Sequence, residues 1–268
     1  GLLGDWLRDR LADRVPVTRQ GWDSHAEIVE GTWLDRTARR PDVARRLETE
    51  TRLMPRLAPR LPLAVPVPVL LDTDPPRARH RLVPGTPVDP RHLTADDGER
   101  VGSFLRALHD TPPDVWEDTG ISQDSERIPQ LDEMADRVVP MLPADLRASG
   151  RALLDRCREA SYRSDLRHGD LGPDHLLVTD DRVSGVIDWT DVALGDTALD
   201  LAWVVTGPPV PFAEALISTY GATEDELARG RDWHLLGPWW EVWYGLNDGG
   251  DEYVTSGLKG ARERLRHS

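Results

Sequence analysis

Three side chains stand at spacings that could do chemistry together: Asp170, His175 and Asp188. A carboxylate can accept a proton from a hydroxyl, and a second carboxylate beside an imidazole can hold a divalent cation. Phosphoryl transfer asks for that combination. It needs an oriented acceptor, a base and metal-bridged phosphate oxygens, with little covalent work left to the protein. The intervening chain is built to bring the three together. Gly169 precedes Asp170 and permits backbone shapes that other residues resist, and Leu171-Gly172-Pro173 then turns the chain. Apolar residues 176–178, the polar run Thr179-Asp180-Asp181-Arg182 and apolar residues 183–187 predict a short hairpin. Its closing end returns Asp188 to the neighbourhood of His175, so the three groups converge on one spot.

The ordered set His168-Gly169-Asp170, His175 and Ile187-Asp188-Trp189 resembles the aminoglycoside phosphotransferase family, whose members share the protein-kinase fold. The run Gly195-Asp196-Thr197-Ala198-Leu199-Asp200-Leu201-Ala202 resembles that family's Gly-Asp-Pro-x-x-Asp-Leu-Ala segment, with Thr197 in place of the proline. The resemblance implies Asp170 as the catalytic base, Asp188 as the main metal ligand and His168 as a residue bracing the loop. His175 stands where a metal-binding asparagine is usual, a feature similar to the macrolide phosphotransferases of the same superfamily. The chain has one asparagine, Asn247, far from the motif, so no neighbour can take that role. Imidazole suits zinc or manganese better than magnesium, yet in its neutral form it can hold a metal or orient a metal-bound water. The implied cofactors are ATP or GTP, with Mg²⁺ or alternatively Mn²⁺.

A nucleotide must be held beside these groups. The single lysine, Lys259, lies near the C-terminus, so the strand lysine that protein kinases pair with a helix glutamate is missing. Arg36, closing the turn-and-strand segment Gly31-Thr32-Trp33-Leu34-Asp35-Arg36, is the candidate replacement, because a guanidinium can grip phosphate at two points. Arg39 and Arg40 are the alternatives; Arg39-Arg40-Pro41-Asp42-Val43 resembles a stretch in arginine-bearing members of the superfamily. Val43, Leu47, Glu50 and Met54 recur at helical spacing and predict a helix from about 42 to 55. It offers Glu48 and Glu50 as partners for Arg36, and the resemblance places the acid at Glu50. Residues 20–26 sit where a phosphate-binding loop belongs but carry one glycine, leaving backbone N–H groups and the Ser24 hydroxyl as caps. By the same resemblance, backbone groups around Arg81, Leu82 and Val83 meet the purine.

The fold implied is α+β, a bilobal protein-kinase-like fold. A small β-rich N-lobe spans 1–83, a linker 84–90, and a larger, mainly helical C-lobe 91–268. A helix is predicted at 4–14, and short strands alternate with the 42–56 helix up to a last strand at 79–83. Thr94-x-x-Asp97 opens a helix with Val101, Phe104, Leu105 and Leu108 on one face. Further helices are predicted at about 125–139, 143–162, 197–205, 210–220, 224–246 and 252–266, the one at 224–246 opened by a capping box at Thr223 to Glu226.

The net charge of −14 argues against nucleic acid and anionic membranes and fits a small cationic acceptor. No run of 18 apolar residues predicts a membrane helix, no signal peptide is visible, and the lone Cys157 rules out an internal disulfide. A cytoplasmic monomer or homodimer is expected, with Cys157 buried and inert. Asp174 and Asp191 lie close to the base and are candidate acceptor contacts. Glu241 and Trp240 are further candidates, from a stretch dense in tryptophan (Trp233, Trp239, Trp240, Trp243) and acids (Glu241, Asp248, Asp251, Glu252). Aromatic residues at helical spacing are more often core. The expected activity is nucleotide-dependent phosphorylation of a hydroxyl on a small cationic molecule of the aminoglycoside type. The alternatives are a macrolide 2′-phosphotransferase, a small-metabolite kinase, or a kinase-fold protein repurposed for binding.

Overall fold

The computed structural model describes residues 18–20, 24–123 and 127–267. The chain divides into two compact units, the first made of residues up to 122 with 165–194 and 207–222, the second of 123–164, 195–206 and 223 onward. The helix expected at 4–14 lies outside the described residues.

In the first unit, β1 (Thr18–Gln20), β2 (Ser24–Val29), β3 (Trp33–Ala38), β4 (Val69–Thr73) and β5 (Pro76–Arg81) form an antiparallel sheet in the order β1-β2-β3-β5-β4. The last strand stops at Arg81, so Leu82 and Val83 lie just beyond the sheet rather than within the strand expected at 79–83. Helix α1 (Pro41–Leu57) starts with proline at its first turn, where no N–H partner is lost. Its buried stripe is Val43, Leu47, Glu50, Met54 and Leu57, spaced at one helical face. A glutamate inside an apolar stripe needs a partner, and that partner is part of the site described below.

The short strand β6 (Thr86–Pro87) pairs with the hairpin expected from sequence, here after β7 (Ser164–Arg167) and made of β8 (Leu176–Thr179) and β9 (Arg182–Val186). Asp180 and Asp181 both hold positive φ (50° and 59°), as a two-residue type I′ turn requires, and aspartate tolerates that region better than most residues. Helix α2 (Ala95–His109) fixes the hairpin. Its capping-box residue Asp97 accepts the Val183 N–H at 2.8 Å, while Arg100 Nε donates to the Val183 carbonyl at 2.8 Å. Gly98 and Gly102 let α2 lie close to the backbone that becomes helix 210–220: a Cβ at Gly98 would stand 2.3 Å from the Phe212 carbonyl oxygen.

The second unit is helical: α3 (Ile128–Arg137), α4 (Arg147–Glu159), α6 (Glu224–Tyr244) and α7 (Asp251–Arg266), with α5 (Val210–Tyr220) belonging to the first unit. Its core gathers Met134, Leu153, Leu154, Trp233, Leu236, Trp239, Val242 and Ala261. The segment expected as a helix at 197–205 is a 3-10 helix, Thr197–Leu201, followed by turns. Asp196 caps it by accepting the Ala198 N–H, and it is too short to build α-helical turns before Gly207-Pro208-Pro209. Cys157 is buried and its thiol is pushed up to about 12, first by desolvation and then by Asp232. No helix among the described residues is long and apolar enough to cross a membrane.

Candidate active site

The loop after β7 is held by two devices. His168 is fully buried; its Nδ1 accepts the Asp170 backbone N–H at 3.3 Å, so its proton sits on Nε2, which donates to the Ile187 carbonyl at 3.1 Å. Trp189 meets the His168 ring edge-on with centroids 4.9 Å apart. Gly169 supplies the second device, with φ of 90° and no room for a side chain: a Cβ there would lie 2.4 Å from the Asp191 carbonyl oxygen. The loop therefore projects Asp170 at a fixed place beside the hairpin's closing end.

There, the convergence of Asp170, His175 and Asp188 is realised. The Ile187 N–H donates to the His175 carbonyl at 3.0 Å, locking the start of the hairpin to its end. Asp188 takes a left-handed backbone (φ 64°), uncommon outside glycine and a mark of a constrained site. His175 Nδ1 donates to the Asp170 carbonyl at 2.6 Å, and its Nε2 lies 3.6 Å from Asp188 Oδ2, beyond hydrogen-bond reach. In the neutral imidazole, Nε2 is then a lone pair facing a carboxylate oxygen. Two acceptors with no hydrogen between them fit a cation. No group of three or more His, Cys, Asp and Glu among the described residues forms a metal cage. A pair of protein ligands completed by phosphate oxygens and water is the pattern Mg²⁺ accepts.

The electrostatics separate the two aspartates. At Asp188, burial alone would raise the pKa, but the charge of a protonated His175, Arg36 and the Thr190 hydroxyl outweigh it and hold the carboxyl below the usual carboxylate range. At Asp170, desolvation raises the pKa, Asp191 and Asp188 add to the rise, and a protonated His175 opposes it. The Asp170 side chain keeps 62% of its surface open, so water moderates the rise without reversing it. One carboxylate is thus kept ionised and the other kept more basic, a division suited to a ligand and a proton acceptor.

Behind this pair runs a chain of charge-assisted bonds. Arg36 on β3 donates from Nη1 to Glu50 Oε2 and from Nη2 to Thr190 Oγ1, both at 2.7 Å. Thr190 in turn donates to Asp188 Oδ1 at 2.9 Å. Glu50 is thereby the partner of Arg36, while Glu48 pairs with Arg52 on the surface. Glu50 Oε1 is buried without a hydrogen-bond partner, and burial, with Asp188 and Asp191, raises its carboxyl against the pull of Arg36. Sequence reasoning missed Thr190; its position two residues past Asp188 was the available signal. It also missed Arg46, which reaches Asp191 at 3.3 Å.

A cavity of about 210 Å³ opens onto these groups. One end is apolar, with Leu34, Leu82, Val83, Leu177 and Ile187; the other carries Arg36, Glu50 and Asp188. A flat base at the first end and an anionic tail at the second match that polarity. Glu50, with its unpartnered Oε1, and Asp188 line the polar end, and His175 Nε2 lies behind Asp188 at 3.6 Å from its Oδ2. Ser24 opens β2, and its side chain lies outside the described residues. Asp174 sits in the 3-10 turn before β8, and Asp191 lies exposed just past Asp188, with its backbone carbonyl against Gly169. Trp240 and Glu241 belong to α6 in the second unit, where Trp240 packs against the core and under the Arg127 guanidinium at 5.3 Å. Trp233 and Trp239 are core residues.

Sheet arginine, helix glutamate, loop aspartate and hairpin aspartate follow one another in the order of a protein-kinase-like phosphotransferase fold, and solved structures of that fold superpose over the full chain. The GDP and kanamycin complex of the aminoglycoside phosphotransferase APH(2″)-IIIa aligns at TM-score 0.84 and 21% identity, covering 100% of each chain. The macrolide 2′-phosphotransferase MphH from Brachybacterium faecium, as apoenzyme, aligns at TM-score 0.72 and 25% identity, covering 97% of this chain and 98% of that one. The streptomycin and ATP complex of APH(2″)-IIa aligns at 0.71 and 17%, covering 99% and 96%. Sequence comparison with curated proteins gives no match. The sequence model of the phosphotransferase enzyme family matches residues 17–234, and the chain belongs to that family. It is a kinase-type enzyme of nucleotide-dependent phosphotransfer.

Proposed function

We propose that the enzyme transfers the terminal phosphoryl group of ATP or GTP to a hydroxyl of a small cationic acceptor of the aminoglycoside class. The observation that carries this reading is Asp170 itself: a carboxylate made more basic by burial and by Asp191 and Asp188, open to solvent, on a loop pinned by His168 and Gly169. A hydroxyl placed there can give up its proton as the phosphoryl group leaves the nucleotide. The purine takes the apolar end of the cavity beside Leu82 and Val83, and Arg36, oriented by Glu50 and Thr190, meets the phosphates. Asp188 and His175 would hold Mg²⁺ or Mn²⁺. An ion held there would supply positive charge against the phosphates of the nucleotide. Asp174 and Asp191 add negative charge where ammonium groups of the acceptor would approach. We place the boundary between the lobes at 84–90, where Gly85 (φ 117°) passes too close to the Val178 carbonyl oxygen for a Cβ.

A second reading is a macrolide acceptor, favoured by His175 and by the 25% identity to a macrolide 2′-phosphotransferase. One assay separates them. The enzyme is incubated with ATP or GTP, Mg²⁺ and, in turn, kanamycin, streptomycin and erythromycin, and products are read by mass spectrometry. A phosphorylated aminoglycoside that disappears in Asp170→Ala is expected. A phosphorylated macrolide alone decides for the second reading, and transfer unchanged in Asp170→Ala removes Asp170 from the role of base.

A further inference from the structure

The second unit has an open cavity of about 710 Å³ between α4, α6 and α7, and its walls carry none of the residues assigned to phosphotransfer. Its charges do not balance among themselves. Arg156 is committed to Asp232 by three contacts of 2.7 to 3.1 Å, so that pair cancels. Arg264 is different. Its Nη1 donates to the His234 carbonyl, and the guanidinium lies over Gly237, where a Cβ would stand 2.9 Å away. It is half-buried, burial lowers its pKa, and it makes no ion pair among the described residues. Arg231, exposed on the same wall, makes none either. Against these two cations stands one lining acid outside an ion pair among the described residues, Glu263, with His267 beside it on the same wall. His234 shares its Nδ1 with the Thr206 hydroxyl at 2.9 Å and stays neutral, its pKa pushed down to about 4 by burial and then by Arg264. Leu235 and Ala228 supply apolar surface.

A desolvated guanidinium without an anion is costly, and the cost is relieved when an anion arrives. The local sign is also opposite to that of the chain, whose net charge is −14. We propose that this cavity is a binding site for a small organic monoanion, a carboxylate on an apolar body. The carboxylate bridges Arg264 and Arg231, and the body lies against Leu235 and Ala228. The excess of cationic over acidic side chains selects a small anion, and the guanidinium fork suits a carboxylate. The site is independent of the acceptor assigned above, since a polycation would be repelled from it.

The probe is benzoate, with benzamide as the uncharged compound of the same shape, titrated into the full chain by calorimetry and by thermal shift. Saturable binding of benzoate with a rise in melting temperature is expected, with benzamide silent. Arg264→Gln and Arg231→Gln should each weaken benzoate by about tenfold or more, while Asp170→Asn binds it as wild type does. Should Arg264→Gln fold poorly, Arg231→Gln decides, because that side chain is exposed. Equal responses to benzoate and benzamide, or wild-type affinity in Arg231→Gln, would overturn the proposal.

Discussion

Replacing Arg36 by methionine removes the only ion-pair partner that Glu50 has among the described residues; the Glu50 side chain is 4% exposed, with its second oxygen already unbonded. Breaking a buried pair from one side costs about 3–5 kcal/mol when the remaining charge stays ionised. Glu50 has an escape, because it can take up a proton. Burial already raises its pKa and Arg36 is the group holding it down, so Arg36→Met raises it further. A carboxyl whose folded pKa lies above its unfolded value of about 4.3 is more protonated in the folded state. Its contribution is fully present below the unfolded pKa and is lost as pH rises through the folded one. The destabilisation of Arg36→Met relative to wild type should therefore grow from about pH 5 to about pH 8, at up to about 1.4 kcal/mol per pH unit until the folded pKa is passed. Urea unfolding at the two pH values measures it. The double variant Arg36→Met, Glu50→Gln lacks the Glu50 carboxyl and should keep only the part of the slope that comes from Asp188, which Arg36 also holds down. A penalty identical at both pH values, or a slope undiminished in the double variant, would refute the account of Glu50 as a buried carboxylate held ionised by Arg36.

Four shorter expectations follow from the same geometry. Thr190→Val breaks the link between Arg36 and Asp188 and should lower kcat/KM by about 10-fold to 100-fold, the worth of bonds to charged groups, with the nucleotide KM rising; unchanged kinetics would show the link to be incidental. The acid limb of the kcat/KM–pH profile should sit above the ordinary carboxylate range, because Asp170 must be ionised to act and its pKa is raised; Asp191→Asn removes one cause and should move the limb to lower pH. His175→Asn should shift metal preference from Mn²⁺ toward Mg²⁺ in steady-state assays, and an unchanged Mn²⁺ to Mg²⁺ activity ratio would remove the imidazole from the metal site. Cys157 should resist thiol reagents in the folded enzyme and react with one equivalent after unfolding, since only the thiolate is nucleophilic.

The sequence by itself determined the parts whose causes are local. The hairpin at 176–186 follows from two apolar runs around a turn that aspartates can make, and it dictates that Asp188 returns to His175. Helix α1 follows from its apolar spacing, and Glu50, unlike Glu48, falls on the buried stripe, so the choice between them could be made from periodicity as well as from resemblance. The capping boxes at Thr94 and Thr223 were legible for the same reason. Tertiary structure decided whatever depends on residues distant in the chain. Thr190 acquires its part because β3 places Arg36 across from the hairpin's closing end, 154 positions away in sequence. Trp233 and Trp239 became core once α6 was packed against α4 and α7. The 3-10 turn at Thr197–Leu201 replaced an expected helix because Asp196 caps it while also accepting from Arg229 and Trp233. Nothing along the chain marks Arg264; the packing of α7 lays it over Gly237 and onto the His234 carbonyl, without an ion pair among the described residues. Periodicity and turn chemistry act over a few residues and can be read along the chain; burial, charge balance and cavity polarity are sums over neighbours that only the folded chain brings together.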